Sequence, residues 1–280
     1  MPLEWRAKSA VISVLGSVYK LKGKPLQAKQ FIPKRTEADQ PNARTVSLFI
    51  PCLVDQVYPE IGLAMAKVLR RLGVKLKYDA AQTCCGQPAF NAGYRAEALQ
   101  VAGHFLEVFR EAECIVSPSG SCVAMTRNFY PHLFAGHPQH EEAQALGQRV
   151  FEFSEFLVRQ LGVSDVNATF ERKAGFHNSC HSFRELRLNE EPLTLLRHVR
   201  GLELVLPPGE PVCCGFGGLF SVKFEAISTA MTRSRLEAFE QLGVEAIISN
   251  DPGCIMQMRL EAKGRGSKVE VLHLAEVLAA

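Results

Sequence analysis

From Thr45 onward the chain alternates short, mainly apolar runs with longer stretches in which apolar side chains return every three to four positions. Residues 45–50 read as a buried strand; Val57, Ile61, Ala64, Met65, Val68 and Leu72 then recur at helical spacing until Gly73 stops them. A strand is predicted over 74–78, a helix over 92–111 and a third strand over 115–117, running into Ser-Pro-Ser-Gly-Ser. The order then repeats, with a strand at 175–177, a helix through 193–199, a strand at 203–206, a helix over 220–242 and a strand at 246–249. Asp251-Pro-Gly opens another helix, and a last strand at 269–273 precedes a short helix; an additional helix is expected over 154–162. Strands and helices alternating at these lengths predict an α/β chain made of two tandem, pseudo-symmetric, Rossmann-like parallel-sheet domains. The expected domains are 45–150 and 151–280, with the join in the polar, His-rich stretch 136–148 or after the helix at 154–162.

Cysteines sharpen this duplication. Cys52, Cys84, Cys85 and Cys122 are followed, roughly 130 residues later and in the same order, by Cys180, Cys213, Cys214 and Cys254. Thiols scattered for packing would not recur as a quartet in register, so these eight are candidate ligands of two four-cysteine metal sites, one per half. Each falls just after a predicted strand, and most open a helix. That edge of a parallel sheet is where ligands collect, because helix N-termini there offer unpaired N–H groups and a positive field that favours thiolates.

Adjacency says more about the metal. Neighbouring side chains diverge from one backbone; they serve poorly as two corners of one tetrahedral ion but can reach different irons of one cluster. The CxxC spacing usual in structural zinc sites is absent. Gly86 and Gly215, which follow the pairs, permit positive φ and a close approach of backbone to a bulky ligand. A cluster therefore fits better than zinc, which stays as the alternative at one site.

Composition changes the picture little. The 280 residues are 47% hydrophobic and 22% charged, with mean hydropathy +0.00, enough to bury a full core. No apolar run approaches the roughly 20 residues that span a bilayer, and a reducing cytosol is expected from unpaired cysteines with no convincing signal peptide. Charge is uneven: residues 1–44 carry nine Lys and Arg against three acidic side chains, so this leader is basic while the rest is mildly acidic. With Trp5, Val11, Ile12, Val14 and Leu15 it reads either as an amphipathic segment docking on a partner or on the inner face of a membrane, or as a solvated tail. Nothing points to nucleic acid, a P-loop or a nicotinamide-type glycine fingerprint.

Other side chains have plainer readings. His177 and His181 flank Cys180, and His177 is a candidate to support a cluster sulfur from outside the ligand set; for His181 simple burial is favoured. Asp251 is read either as a ligand or as the cap of the following helix. Cys114 is expected to be a core thiol, and His132, His137 and His140 a polar connection rather than a metal site.

These motifs resemble the CCG cysteine-rich domain found twice in one of the heterodisulfide reductase polypeptides and in the iron–sulfur subunits of glycolate and glycerol-3-phosphate oxidation. A narrower likeness, over about residues 45–278, is to the lactate utilization protein A family. It is carried by residues 51–60, Thr83-Cys-Cys-Gly-Gln-Pro88, Pro118-Ser-Gly-Ser-Cys122, His177-Asn-Ser-Cys180 and Cys213-Cys-Gly-Phe-Gly-Gly218. The resemblance implies an iron–sulfur electron-transfer subunit of a complex oxidising L-lactate to pyruvate, beside a ferredoxin-like subunit and a third protein, without nicotinamide. It also implies up to two 4Fe-4S clusters. In the heterodisulfide reductase polypeptide the last ligand element is a CxxC, whereas Ser119 and Asp251 stand three before the final cysteine here; a four-thiolate cluster, or one with serine or aspartate taking part, is expected. Other readings stay open: a zinc-bearing structural subunit, a thiol–disulfide catalyst, or a subunit serving glycolate, another 2-hydroxy acid or a heterodisulfide.

Overall fold

The computed structural model describes residues 45–280; the basic leader, with both of its readings, lies outside the described residues. The chain begins with β1 (Thr45–Leu48), α1 (Cys52–Gln56), α2 (Pro59–Arg71), β2 (Lys75–Tyr78), α3 (Gln87–Asn91), α4 (Arg95–Phe109) and β3 (Ile115–Ser117). It continues through α5 (Gly120–Ala124), a π-turn (Met125–Phe129), α6 (Tyr130–Leu133), α7 (His140–Gly147), β4 (Val150–Glu152) and α8 (Phe153–Glu155), which runs into a second π-turn, Phe156–Gln160. The second series is β5 (Lys173–His177), a π-turn (His181–Glu185), α9 (Glu190–Arg197), β6 (Glu203–Val205), α10 (Leu219–Lys223), α11 (Glu225–Glu240), β7 (Ala246–Ser249), α12 (Pro252–Gly264), β8 (Glu270–His273) and α13 (Leu274–Ala279).

Two wholly parallel four-stranded sheets result, ordered β2-β1-β3-β4 and β6-β5-β7-β8. The predicted α/β architecture with two like halves is thus present. Central strands such as β3 and β7 are buried throughout because helices cover both faces, whereas β2 lies at an edge and alternates Lys75 and Lys77 into solvent. α2 starts on Pro59, which gives up no hydrogen bond at a first turn, and ends before Gly73 at φ 77°.

Three elements differ from the sequence reading. The helix expected over 92–111 is present as α4, but a short α3 that was not foreseen precedes it, the two parted by a turn at Gly93 with φ 87°. The one expected over 220–242 breaks at Phe224, whose φ −129° and ψ 50° are not helical, and α11 starts afresh after it. β4 was not foreseen; its three residues, Val-Phe-Glu, span residue 150 and pair with β3 from Ile115↔Val150 to Ser117↔Glu152.

The two sheets share one interior. A core cluster joins Val46, Leu48, Met65, Val68 and Leu69 of the first series to Phe176, Leu193, Leu196, Leu274 and Leu278 of the second. Helices are exchanged reciprocally: α13, which follows β8, lies on α2, and α8, which follows β4, lies on α9. Arg71 pins the exchange by donating to the Val166 and Ala279 carbonyls, at 3.1 and 3.0 Å. Among the described residues no helix is long and apolar enough to cross a membrane.

Candidate metal centres

All eight quartet cysteines sit at the carboxyl ends of the strands, as their places in sequence predict. Cys52 opens α1, Cys122 lies in the first turn of α5 and Cys254 in that of α12; Cys180 caps a π-turn, while Cys84-Cys85 and Cys213-Cys214 occupy the loops after β2 and β6. Each quartet divides into a half-exposed pair and a buried pair. Cys52 and Cys84 sulfurs are 3.6 Å apart and only partly covered, with Cys85 against Cys122 beneath them; Cys180 and Cys213 are 4.0 Å apart, above Cys214 and Cys254 at 3.0 Å. Adjacent cysteines thus do diverge, one to each layer.

Such crowding controls ionisation. Contacts from Cys52 and then Cys85 pull the Cys84 thiol down to about 3, and contacts from Cys180 and Cys214 pull Cys213 down to about 2. Their partners shift in the opposite direction: donation to Cys84, then burial, raises Cys52; donation to Cys213, then burial, raises Cys180; contacts with Cys122 and then Cys84 raise Cys85, and contacts with Cys213 and then Cys254 raise Cys214. For Cys254 the Cys214 contact pulls downward, but burial and Asp251 carry it up. One thiolate per quartet is therefore comfortable and four are not, unless cationic metal sits among them.

Backbone N–H groups add support. Gly86 and Gly215 donate to the Cys84 and Cys213 sulfurs, both at 3.4 Å. Their positive φ values, 80° and 90°, are as expected, but the close approach they permit is to a helix rather than to the site. A Cβ on Gly215 would lie 2.6 Å from the Ser228 carbonyl of α11, and one on Gly86 3.3 Å from the Ala98 carbonyl of α4.

Behind the sulfurs the halves part company. Phe49, three residues before Cys52, packs edge-on against Phe105 at 4.8 Å and Phe109 at 5.8 Å. At the matching places stand His177, Arg235 and Phe239: Arg235 Nε donates to His177 Nδ1 at 3.1 Å and its guanidinium lies 4.4 Å over the Phe239 ring. Burial, then the Arg235 charge, lowers the His177 pKa to about 3, so the ring is neutral and its proton sits on Nε2. That Nε2 is buried without a partner, and one ring nitrogen lies within 4.8 Å of the Cys214 and Cys254 sulfurs. An orphaned donor beside converging thiols fits an electron-rich inorganic sulfur centre, and the three ligand atoms could also hold a single metal ion.

The two sites meet where the halves touch. Asp251 caps α12 through the Gly253 N–H at 3.0 Å, and its other oxygen accepts from the Ser121 N–H at 2.8 Å and the Ser119 hydroxyl at 3.3 Å. Both candidates three before a final cysteine are thus engaged with caps and with one another. His181 lies with Nδ1 3.7 Å from the Cys180 sulfur and Nε2 3.3 Å from the Gln87 amide, which reaches the Ser121 carbonyl at 3.2 Å. Gln87, Arg235 and Tyr130, whose hydroxyl donates to the Cys85 carbonyl at 2.9 Å, were not singled out from sequence. Setting residues 98–109 against 228–239 would have exposed Arg235 as a cation facing Phe105.

Cys114 packs in the core shared by the sheets. His137 stacks edge-on against Phe134 and accepts the Gln139 N–H in the connection that also holds His132 and His140.

Comparison with known proteins agrees with the duplication. A family model described as a cysteine-rich domain, CCG, matches twice, at residues 46–127 and 174–259. Lactate utilization protein A of Bacillus velezensis is 45% identical over 234 residues, covering 83% of this chain and 98% of its own; that of Bacillus subtilis is 44% identical with the same coverage. A glutamate racemase from Francisella tularensis overlaps 86% of this chain and 78% of its own at 16% identity, but its TM-score of 0.35 is too low to say anything of function. Two cysteine-rich repeats and this degree of identity over nearly the full length of the relatives show that the chain belongs to the lactate utilization protein A family.

Proposed function

We propose that the protein is the iron–sulfur electron-transfer subunit of a lactate-oxidising complex, holding up to two 4Fe-4S clusters, one on Cys52, Cys84, Cys85 and Cys122 and one on Cys180, Cys213, Cys214 and Cys254. The two duplicated domains divide near residue 150. The observation that carries this reading is the layered quartet, two sulfur pairs drawn together twice by strand ends more than 30 residues apart in sequence. Iron–sulfur clusters, when bound, supply reversible one-electron chemistry. The chain's own residues then have clear parts: Cys85, Cys122, Cys214 and Cys254 hold the buried side away from water, the half-exposed cysteines face a partner, and glycine N–H groups offset negative charge. His181 and Gln87 join the two centres by polar contacts.

Lactate as the substrate of the system, and a ferredoxin-like subunit with a third protein as partners, rest on the family; glycolate or another 2-hydroxy acid would suit these residues as well. The place of work is the cytosol or the inner membrane face, with substrate oxidation on a partner. A second reading has one observation in its favour: His177, Cys214 and Cys254 could hold a zinc ion. It leaves Cys180, Cys213 and the whole first quartet without a role.

Anaerobic purification with iron, zinc and sulfide counting on the parent and on Cys85→Ser and Cys214→Ser separates them. Each substitution is expected to remove about one centre's iron and leave the other half loaded. A parent protein holding only zinc overturns the proposal.

A further inference from the structure

Arg235 is a buried cation that no Asp or Glu among the described residues pairs with. Burial lowers its pKa, and the only opposing influences come from Cys214 and Cys254. Other well-covered arginines of this chain do have carboxylates: Arg127 faces Glu155 at 2.7 Å, and Arg259 faces Glu276 at 3.5 Å. A guanidinium buried without a carboxylate is strongly disfavoured, and this one is bonded to His177, a ring nitrogen of which lies within 4.8 Å of the Cys214 and Cys254 sulfurs, so the second centre is the place for a compensating negative charge. His177 fixes the direction of the charge through its bond from Nε, and Phe239 supports the guanidinium from its other face. In the first half the same three places are filled by Phe49, Phe105 and Phe109, and Tyr130, buried beside Phe105, is neutral, its pKa raised by burial and by the cysteines.

We propose that Arg235, oriented by His177, is the fixed counter-charge of the second centre and makes it the more easily reduced of the two, so that electrons run from the first half to the second. This rests on the iron–sulfur reading above. Reduction adds one negative charge to a centre, and a positive group held close in a dry environment stabilises that added charge. The unpartnered Nε2–H of His177 acts in the same sense as a donor. Among the described residues neither aid stands behind Cys85 and Cys122, where Phe49, Phe105 and Phe109 fill the matching places.

The test is an anaerobic redox titration followed by electron paramagnetic resonance. Cys214→Ser keeps only the first centre and Cys85→Ser only the second, so each midpoint is read alone without touching Arg235. The second is expected to be the more positive. Arg235→Gln should move that midpoint in the negative direction and leave the first in place, while Arg235→Lys, which keeps the charge, should restore part of the shift. Should Arg235→Gln lose iron from the second half only, with Arg235→Lys still loaded, the counter-charge is upheld. Equal midpoints in the two cysteine variants, an unmoved midpoint in Arg235→Gln, or iron lost equally from both halves would overturn it. A protein with zinc and no redox signal instead defeats the iron–sulfur reading, and metal analysis tells that failure apart.

Discussion

Behind Cys85 the chain stacks three phenylalanines; behind Cys214 it sets an imidazole, a guanidinium and one phenylalanine on the same backbone frame. The two copies keep what the fold needs, namely parallel strands, glycine turns and cysteines at strand ends. They differ in what fills the space behind the sulfurs, so packing is strengthened on one side and polarity on the other. A duplicated fold can give two centres different characters without altering a single ligand.

The sharpest way to break this contrast is to truncate matching positions and unfold the metal-free protein in urea. Phe105→Ala should cost about 3–5 kcal/mol, as a large buried ring leaves a cavity. Arg235→Met should be neutral or stabilising in the same assay, because it removes a buried charge that no carboxylate pairs with. An Arg235→Met loss as large as that of Phe105→Ala would mean that the guanidinium is there for packing.

A smaller contrast lies in the glycines. Gly215→Ala must place a Cβ 2.6 Å from a helix carbonyl at φ 90°, and should cost about 3 kcal/mol. Gly86→Ala, whose Cβ would lie 3.3 Å from the Ala98 carbonyl, a tight contact but not a clash, should cost about 1 kcal/mol, and thermal unfolding of the two variants ranks them. Equal losses would show that φ alone, rather than contact with the helix, governs both turns.

Per pH unit, the last contrast is the most gradual. Glu152 and His273 cap α8 and α13 in equivalent capping boxes at the ends of β4 and β8. Burial raises the Glu152 carboxyl from 4.5 to about 7, so its contribution is complete below pH 4.5 and lost as pH rises through 7. Burial lowers the His273 imidazole from 6.5 to about 3, so its contribution is complete above pH 6.5 and lost as pH falls towards 3. Each slope is at most about 1.4 kcal/mol per pH unit. Glu152→Gln should flatten the neutral limb of the metal-free stability profile and His273→Asn the acid limb; urea midpoints across pH 4–8 would show it.

Much of this was readable in the chain itself. Helical spacing gave α2, apolar runs gave β1 and β7, and the repeated quartet placed every cysteine at a strand end, because those signals are local or periodic. β4 escaped because Val-Phe-Glu runs straight into the helical pattern that follows it, and its strand character comes from pairing with β3. The break at Phe224 escaped because apolar spacing continues across it. Exchange of α13 and α8 between halves leaves no mark in either segment, since each has an ordinary apolar face whichever neighbour it meets. The role of the glycines was half legible: the sign of φ follows from residue type, but what they approach depends on where α4 and α11 lie.

That exchange also bears on how the molecule is made. The cysteines of the first quartet are all synthesised by residue 122, yet the part of α2 that α13 covers stays bare until those six residues leave the ribosome some 150 positions later. A nascent chain therefore carries four ready thiols on an unfinished scaffold for most of its synthesis. Iron delivery that waits for the completed polypeptide would fill both cages on a finished frame, while delivery during translation would meet the first cage loose.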